Sequence, residues 1–248
     1  MVLELESVGK VFQRGKRMIV ALDHVSLACD RGDCVAVYGT SRSGKSTLLR
    51  LAAGVETPTS GSVLYDGQDL QGLGERDRSS LRRSKIAWLP ASLDFQPGLN
   101  VLEQVALSCY FASSRDHARS KRAAREALST AGIEHCAEAK PSDLSDGELR
   151  LTGIAQAIVK QPRLLLADEP ATNLDPVERD RVLDLLRASA DEHGATVLFS
   201  VTHADETLRS TWFVRLDSGR LTVPSEPPPR GEVIDLSSRR AAGDRPDA

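Results

Sequence analysis

The sequence lacks a charge excess, a long apolar run and a cysteine framework, and each absence excludes a class of protein. The formal net charge is −3, which gives no bulk electrostatic basis for binding nucleic acid. No apolar stretch approaches the roughly 18 residues that cross a bilayer, and the N-terminus is acidic where a signal peptide is basic. We therefore expect a cytosolic protein with no nucleic-acid partner.

The cysteines are few and widely spaced. Cys29, Cys34, Cys109 and Cys136 form no Cys-x-x-Cys pair and accompany no paired histidine cluster. This spacing gives little support to a zinc site or a disulfide framework, so we interpret the four as reduced residues that pack in the interior.

What is present is the composition of a soluble globular protein. Of 248 residues, 40% are hydrophobic and 27% are charged, which excludes global disorder and suits one large α/β domain or two small ones. Patterning predicts strands and helices in alternation, and hence a largely parallel sheet. The predicted strands are residues 3–8, 19–22, 25–29, 34–38, 62–67, 164–167, 196–201 and 212–216, and the main predicted helices are residues 45–53, 101–111, 123–131 and 176–192.

Two regions depart from this alternation. Residues 90–155 carry mostly helical apolar spacing and are predicted to form a helical insertion in the α/β core. Residues 223–248 are rich in proline and arginine, cannot bury a core, and are predicted to be a disordered tail. The alternative for residues 233–236 is a segment that docks on a partner. The domain itself is predicted to span residues 1–222.

A glycine-rich loop follows the predicted strand 34–38 and opens the helix at residue 45. It fits the pattern G-x-x-x-x-G-K-[ST], in which backbone N–H groups cradle a phosphate, the lysine reaches the β- and γ-phosphates and the final hydroxyl binds Mg²⁺. The alternative is a plain glycine turn. The loop reads Gly39-Thr40-Ser41-Arg42-Ser43-Gly44-Lys45-Ser46.

A pair of carboxylates follows another predicted strand. A phosphate-binding loop needs such a carboxylate to bind its Mg²⁺ ion. Four apolar residues, 164–167, deliver Asp168 and Glu169 to the end of a buried strand, where α/β sheets bind ligands. Asp168 is predicted to hold the metal and Glu169 to activate the attacking water. The alternative is a solvated acidic pair that caps a turn before Pro170.

With these two motifs, the sequence resembles the ATP-binding subunits of ATP-binding-cassette (ABC) transporters. The resemblance extends over roughly residues 2–222, with the motifs in the family's order. Leu144-Ser145-Asp146-Gly147-Glu148 is similar to the family signature, which binds the γ-phosphate of ATP held by a partner subunit. Without its neighbours, this motif reads as an ordinary helix N-cap. Residues 97–103 look most like the branch of lipoprotein-release, macrolide-export and cell-division transporters.

The resemblance implies an ABC ATPase fold: a mostly parallel core sheet, a small antiparallel β subdomain and a helical subdomain. Residues 173–175 look like the loop that crosses the dimer interface, His203 like the switch histidine, and Phe12 like the aromatic that stacks on adenine. The alternatives are a packing or surface histidine and a core aromatic. The implied catalytic residues are Glu169, His203 and Lys45, and the implied metal ligands are Ser46 and Asp168. The implied nucleotide-binding residues are Phe12, Gly39, Thr40, Ser41, Arg42, Ser43, Gly44, Lys45, Ser46, Thr47, Ser145, Gly147, Glu148 and Asp175.

Three departures from the family pattern concern turnover. The family's Q-loop glutamine is expected near residue 91, which here is Ala91, with Gln96 the nearest glutamine. Asp146 replaces the usual glycine of the signature and brings a carboxylate close to the γ-phosphate. Residues 149–151 read Leu-Arg-Leu where relatives commonly have Gln-Gln-Arg. These changes bear on hydrolysis and coupling more than on ATP binding.

The function that follows is ATP binding and hydrolysis by a homodimer, or by a heterodimer with a related subunit. Mg-ATP is the expected ligand, and a separate membrane permease is the expected partner, which would hold the protein at the inner face of the membrane. The alternative is an ATP-gated switch with weak or no turnover. The arginine groups of residues 76–83 and 115–125 are interpreted as solvated helix faces rather than as a phosphate-binding stripe.

Overall fold

The fold was obtained as a computed structural model that describes residues 1–114 and 116–222. The tail predicted over residues 223–248 lies outside these described residues. The α-helices are α1 (Lys45–Ala52), α2 (Glu75–Ser84), α3 (Val101–Cys109), α4 (His117–Thr130), α5 (Asp146–Ile158) and α6 (Pro176–Asp191). A π-helix covers Tyr110–Ser114, and 3-10 turns cover Glu134–Cys136, Pro141–Asp143 and Ala204–Arg209.

The strands form two sheets. They are β1 (Leu3–Arg14), β2 (Arg17–Cys29), β3 (Cys34–Tyr38), β4 (Ser60–Tyr65), β5 (Gln68–Asp69), β6 (Ile86–Leu89), β7 (Leu164–Ala167), β8 (Thr196–Val201), β9 (Trp212–Asp217) and β10 (Arg220–Leu221). The core sheet has the order β10-β9-β3-β8-β7-β6. Its strands are parallel except for the edge strand β10. The second sheet, β2-β1-β4-β5, is antiparallel throughout. The predicted fold class is confirmed.

Two apolar clusters cover the two faces of the core sheet. Successive side chains of a strand point to opposite faces, and β8 shows this directly. Val197 and Phe199 belong to the cluster shared with α3 to α6, whereas Leu198 belongs to the cluster shared with α1 and the antiparallel sheet. The parallel strands are therefore buried on both sides, and their polar ends are the part that can meet a ligand.

The structure differs from the sequence prediction in several elements, of which β2, β6 and β10 are instructive. Residues 19–29 form one continuous strand, β2, because the polar break at His24 is an irregularity with a φ of 50° rather than a turn between strands. Strand β6 was not predicted, since its four residues Ile86–Leu89 are too short a run to stand out beside the charged helix α2. The end of the chain adds β10 as a hairpin partner of β9.

The region predicted as a helical insertion contains α3, α4 and most of α5, and α5 continues to Ile158. Helices α3, α4 and α5 pack on one another through residues such as Val105, Leu128 and Ile154. In the part of the chain that the structure describes, no helix combines the length and the apolarity that crossing a bilayer requires.

Candidate functional site

The glycine loop connects β3 to α1, and close contacts with backbone carbonyl groups leave no room for a side chain at Gly39 or Gly44. A Cβ on Gly39 would lie 2.3 Å from the carbonyl oxygen of Leu216, and a Cβ on Gly44 would lie 2.4 Å from that of Ala21. Gly44 also has a φ of 109°, which strongly favours glycine. The loop is thus held against the sheet edge by neighbours that leave no room for side chains.

Lys45 is the buried cation of this loop. It is only 3% exposed. Its Nζ donates to the carbonyl oxygens of Gly39 and Thr40 at 2.9 and 3.0 Å and lies 3.3 Å from Oε1 of Glu169. A buried charge must be paired and hydrogen-bonded, and here one carboxylate and two carbonyls meet that need.

The centre of the loop has the features of an anion site. Oγ of Ser43 is buried without a hydrogen-bond partner among the described residues, which is costly unless a ligand supplies one. The first N–H groups of α1 lack partners within the helix and lie at its positive end. Together with Lys45, these donors fit a phosphate group.

The carboxylates lie at the end of β7, as the sequence predicts. Asp168 is 3% exposed, and its Oδ1 accepts a hydrogen bond of 2.7 Å from the hydroxyl of Ser200 on β8. The same hydroxyl accepts a 2.8 Å hydrogen bond from the backbone N–H of Glu169, whose φ is 46°. Ser200 therefore holds both residues, one through its side chain and one through its backbone.

The residues at this sheet edge also fit a magnesium ion. Ser46 lies in the first turn of α1 next to Lys45, and Asp168 follows β7, which is one strand removed from β3, the strand before the glycine loop. A hydroxyl and a carboxylate are oxygen ligands of the kind that Mg²⁺ accepts, with waters and phosphate oxygens as the remaining ligands. Ser46 and Asp168 could hold the ion.

The signature residues form a second cluster at the start of α5. Ser145 is the N-cap, its Oγ accepting from the backbone N–H of Glu148 while Oε2 of Glu148 accepts from the backbone N–H of Ser145. The hydrogen bond from the Ser145 backbone, followed by those from the side chains of Cys136, Ser145 and His135, lowers the pKa of Glu148 to about 2. Gly147 is buried, and a Cβ there would lie 2.2 Å from Oε1 of Glu178 on α6. Asp146 is exposed beside it.

Within the described ranges, no hydrogen bond or ion pair joins Ser145, Gly147 or Glu148 to the glycine loop. The two clusters that the sequence assigns to one nucleotide are separate parts of this chain.

Arg150, one turn into α5, connects the signature helix to the segment after β6. Its guanidinium donates to the carbonyl oxygens of Pro90 and Ala91. Burial lowers the pKa of Arg150, whereas the negative charges of Asp146, Asp168 and Glu169 raise it. The guanidinium is thus within electrostatic reach of the carboxylate pair. Ala91 itself is exposed, and it offers only its backbone to this contact.

The remaining sequence-predicted residues lie around these clusters. His203 is exposed just past β8, and its backbone N–H donates to Glu206 at 3.2 Å. Asp175 is the N-cap of α6 and accepts from the N–H groups of Val177 and Glu178. Thr47 is half-buried in α1. It directly follows Ser46, the last residue of the glycine loop.

Phe12 lies on β1 in the antiparallel sheet. It is half-buried and belongs to neither apolar cluster. Lys10 Nζ lies 5.0 Å from the centroid of its ring, within the range of a cation–π contact. Phe12 is therefore not a core aromatic, and its stacking on adenine stays a prediction.

Sequence reasoning missed Ser200 as a site residue and treated Arg150 only as a departure from a pattern. All six residues of β8 are buried, and a polar side chain in such a strand indicates a specific buried partner. That indication was available in the sequence for Ser200. The partners of Arg150 depend on packing between distant segments, which no local pattern reveals.

Comparison with known proteins gives a family match. Residues 22–172 match the family model described as ABC transporter. The match covers the glycine loop, the signature motif and both carboxylates.

Solved structures give the same result for the fold. The ATP-binding cassette MJ0796, described as a bacterial ABC transporter cassette, superposes with a TM-score of 0.84 at 29% identity, covering 89% of this chain and 97% of that chain. It has been solved as a dimer, once in a post-hydrolysis state bound to ADP and Pi. CbiO1 from Clostridium perfringens, part of the ABC transporter complex CbiONQ, has a TM-score of 0.78 at 24% identity, covering 91% and 88%, and supports the fold alone.

Proposed function

The chain belongs to the ABC transporter family, and from this premise we propose that it is the ATP-binding and ATP-hydrolysing subunit of a transporter. Two copies would enclose two Mg-ATP molecules, each between the glycine loop of one copy and residues 144–148 of the other. The observation that carries the proposal is that buried Lys45 and Asp168 and half-buried Glu169 lie at one sheet edge, with Lys45 paired to Glu169. The dimeric structures of MJ0796 support the two-copy arrangement.

The chemistry asked of these residues is mostly positioning and charge neutralisation, which dominate phosphoryl transfer. In the proposal, backbone N–H groups of residues 39–46 and Lys45 bind the phosphates, Phe12 stacks on adenine, and Ser145 and Gly147 of the second copy contact the γ-phosphate. Ser46 and Asp168 would hold Mg²⁺, which neutralises phosphate charge when it is bound. Asp175 would lie at the dimer interface.

The ion pair between Lys45 and Glu169 gives this proposal an order of events. Oε1 of Glu169 lies 3.3 Å from Nζ of Lys45, so the lysine occupies an oxygen that a water molecule would otherwise contact. An entering phosphate offers Lys45 a stronger anionic partner, and Glu169 is then free to orient the attacking water. His203, next to the same edge of the sheet, would contact the γ-phosphate.

Transport also needs a partner that spans the membrane. We propose a separate permease, which binds the surface around α3 and the loop before it and holds the protein at the inner face of the cell membrane. The branch of lipoprotein-release, macrolide-export and cell-division transporters indicated by residues 97–103 is part of this proposal. Co-purification of a multi-span protein from membranes would support it, and a chain that never associates with a membrane protein would contradict it.

A second candidate function is an ATP-gated switch with weak or no turnover. Ala91 provides no side-chain amide next to the carboxylates, and exposed Asp146 adds a negative charge at the signature helix. A phosphate-release assay separates the two functions. Hydrolysis that a permease stimulates supports a motor, whereas nucleotide-dependent closure without phosphate release supports a switch.

The base assignment is tested by Glu169→Gln. We expect this variant to bind Mg-ATP, form a stable dimer and release almost no phosphate, because the amide keeps the shape of the side chain and cannot take a proton. Glu192→Gln, an exposed change at the end of α6, is the matched control and should hydrolyse ATP normally. Phosphate release by Glu169→Gln at the wild-type rate would show that Glu169 is not the base.

A further inference from the structure

Three side chains of metal-ligating type meet at the last residue of the signature motif, Glu148, away from the glycine loop and the carboxylate pair. Cys136 and His135 come from the 3-10 turn Glu134–Cys136, and Glu148 comes from the first turn of α5. Oε1 of Glu148 lies 3.2 Å from Sγ of Cys136 and 3.4 Å from Nε2 of His135. All three donor atoms lie within 4.8 Å of one another.

The capping of α5 does not account for this arrangement. Capping uses Oε2 of Glu148, which accepts from the backbone N–H of Ser145 at 2.9 Å and from its hydroxyl at 3.1 Å. The thiol and the imidazole converge on the other oxygen, Oε1. A capping glutamate needs neither of them, so their position requires a separate explanation.

The donor set and its spacing match a particular class of ion. Thiolate, imidazole and carboxylate together suit borderline metals such as Zn²⁺, whereas Mg²⁺ and Ca²⁺ prefer oxygen alone. Zinc bond lengths in a tetrahedral site place donor atoms about 3.3–3.6 Å apart, close to the two distances observed at Oε1. Three protein ligands leave a fourth position for water or another ligand.

The cluster is open to solvent on one side, and one of its side chains is exposed. Cys136 is 6% exposed and anchors the cluster in the core of the helical region. The side chain of Glu148 is 30% exposed and that of His135 is 68% exposed. An ion can therefore enter from solvent. Because the His135 side chain is exposed, it can rotate and bring its Nε2 closer to Sγ of Cys136 without a movement of the backbone.

We propose that His135, Cys136 and Glu148 bind one transition-metal ion of the zinc class. Glu148 binds through Oε1 and keeps Oε2 on Ser145, so the ion is attached directly to the residue that caps the signature helix. The site fixes the turn Glu134–Cys136 to the start of α5 and thereby stiffens the signature motif. This binding does not depend on ATP hydrolysis, so it is tested separately from the proposed function.

The test is a metal titration of the full chain after removal of bound metal. We expect one Zn²⁺ per chain by elemental analysis and equilibrium dialysis, and a thiolate-to-cobalt charge-transfer band when Co²⁺ is used as the probe. Zn²⁺ should raise the Tm, since it binds the folded state. An excess of Mg²⁺ should not displace it.

Variants assign the binding to this cluster. Losing one ligand should weaken Zn²⁺ binding by at least about tenfold in His135→Ala, Cys136→Ser and Glu148→Gln. His135→Ala changes an exposed side chain and should leave the fold intact, and Glu148→Gln keeps the capping box. Cys29→Ala, a buried thiol in the other cluster, is the matched control. Absence of stoichiometric Zn²⁺, or equal Zn²⁺ affinity in His135→Ala and the wild type, would overturn the proposal.

Discussion

At the residue scale, the hydroxyl of Ser200 determines how the two carboxylates are presented. It is fully buried, donates to Asp168 and accepts from the backbone of Glu169. The hydrogen bond orients the Asp168 carboxylate, and the contact to the N–H fixes Glu169 in a left-handed conformation that a non-glycine residue adopts at a cost. Ser200 is therefore a positioning residue in this account.

Ser200→Ala should impair hydrolysis more than nucleotide binding. The change leaves a buried carboxylate oxygen and a buried N–H without a partner, which costs about 1–3 kcal/mol in the free energy of unfolding. We expect kcat to fall while the KM for ATP changes little, because the glycine loop is untouched. Phosphate-release kinetics measure kcat and KM, and denaturant unfolding measures the free energy of unfolding.

Ser189→Ala is the matched control for this prediction. Ser189 is a buried serine on α6 whose hydroxyl donates only within its own helix, to Leu185. If the two alanine variants had the same kcat, Ser200 would have no role in positioning the carboxylates.

At the element scale, Arg150 couples the signature helix to the segment that follows β6. The guanidinium holds two consecutive carbonyl groups, at Pro90 and Ala91. Hydrogen bonds from a charged group are worth more than neutral ones. The segment between β6 and α3 thus depends on α5 for its conformation.

Arg150→Met should release the segment of residues 90–96. The methionine keeps the apolar stem and loses both hydrogen bonds, so we expect faster amide exchange in that segment and a lower rate of phosphate release. Hydrogen exchange read by mass spectrometry provides the measurement. Arg125→Met, an exposed change on α4, is the control and should alter neither the amide exchange at residues 90–96 nor the rate of phosphate release. Unchanged exchange at residues 90–96 in Arg150→Met would refute the coupling.

The sequence predicted elements well where the local pattern is sufficient. Strands β3, β7 and β8 were predicted with the bounds that the structure shows, because each is a short apolar run between clear turn residues. Strand β6 was missed because what makes it a strand is its pairing with β7, 78 residues along the chain at Ile86 and Leu164. Strand β7 is equally short, but Pro162 and Pro170 mark its two sides as turns, whereas β6 directly follows the charged helix α2 without a turn residue between them.

The same distinction applies to the site. The glycine loop and the carboxylate pair were found because each motif is continuous in the chain. The contact of Ser200 with Asp168 follows from the register of β7 and β8, in which Ala167 lies beside Phe199, and no spacing rule gives that register. The contact of Cys136 with Glu148 likewise results from the packing of a turn against a helix. Cysteine spacing does not contain this contact, so the sequence analysis gave little support to the metal site that we now propose.

At the scale of the whole molecule, the two motifs assigned to one ATP lie in separate places. The glycine loop leads into α1, and the signature motif begins α5, which packs with α3 and α4. In the proposed function, one ATP therefore contacts the glycine loop of one chain and the signature motif of another. A C2 dimer provides both contacts, since each copy then offers its own loop to the signature motif of the other.

The most direct measurement of this claim mixes two defective variants, each in a Glu169→Gln background so that ATP is not consumed. Lys45→Ala and Ser145→Arg should each fail to retain Mg-ATP in a dimer. An equal mixture should recover about a quarter of the parental ATP, because about half of the dimers are mixed and each mixed dimer has one intact site. A mixture that retains no more ATP than the separate variants would contradict the account.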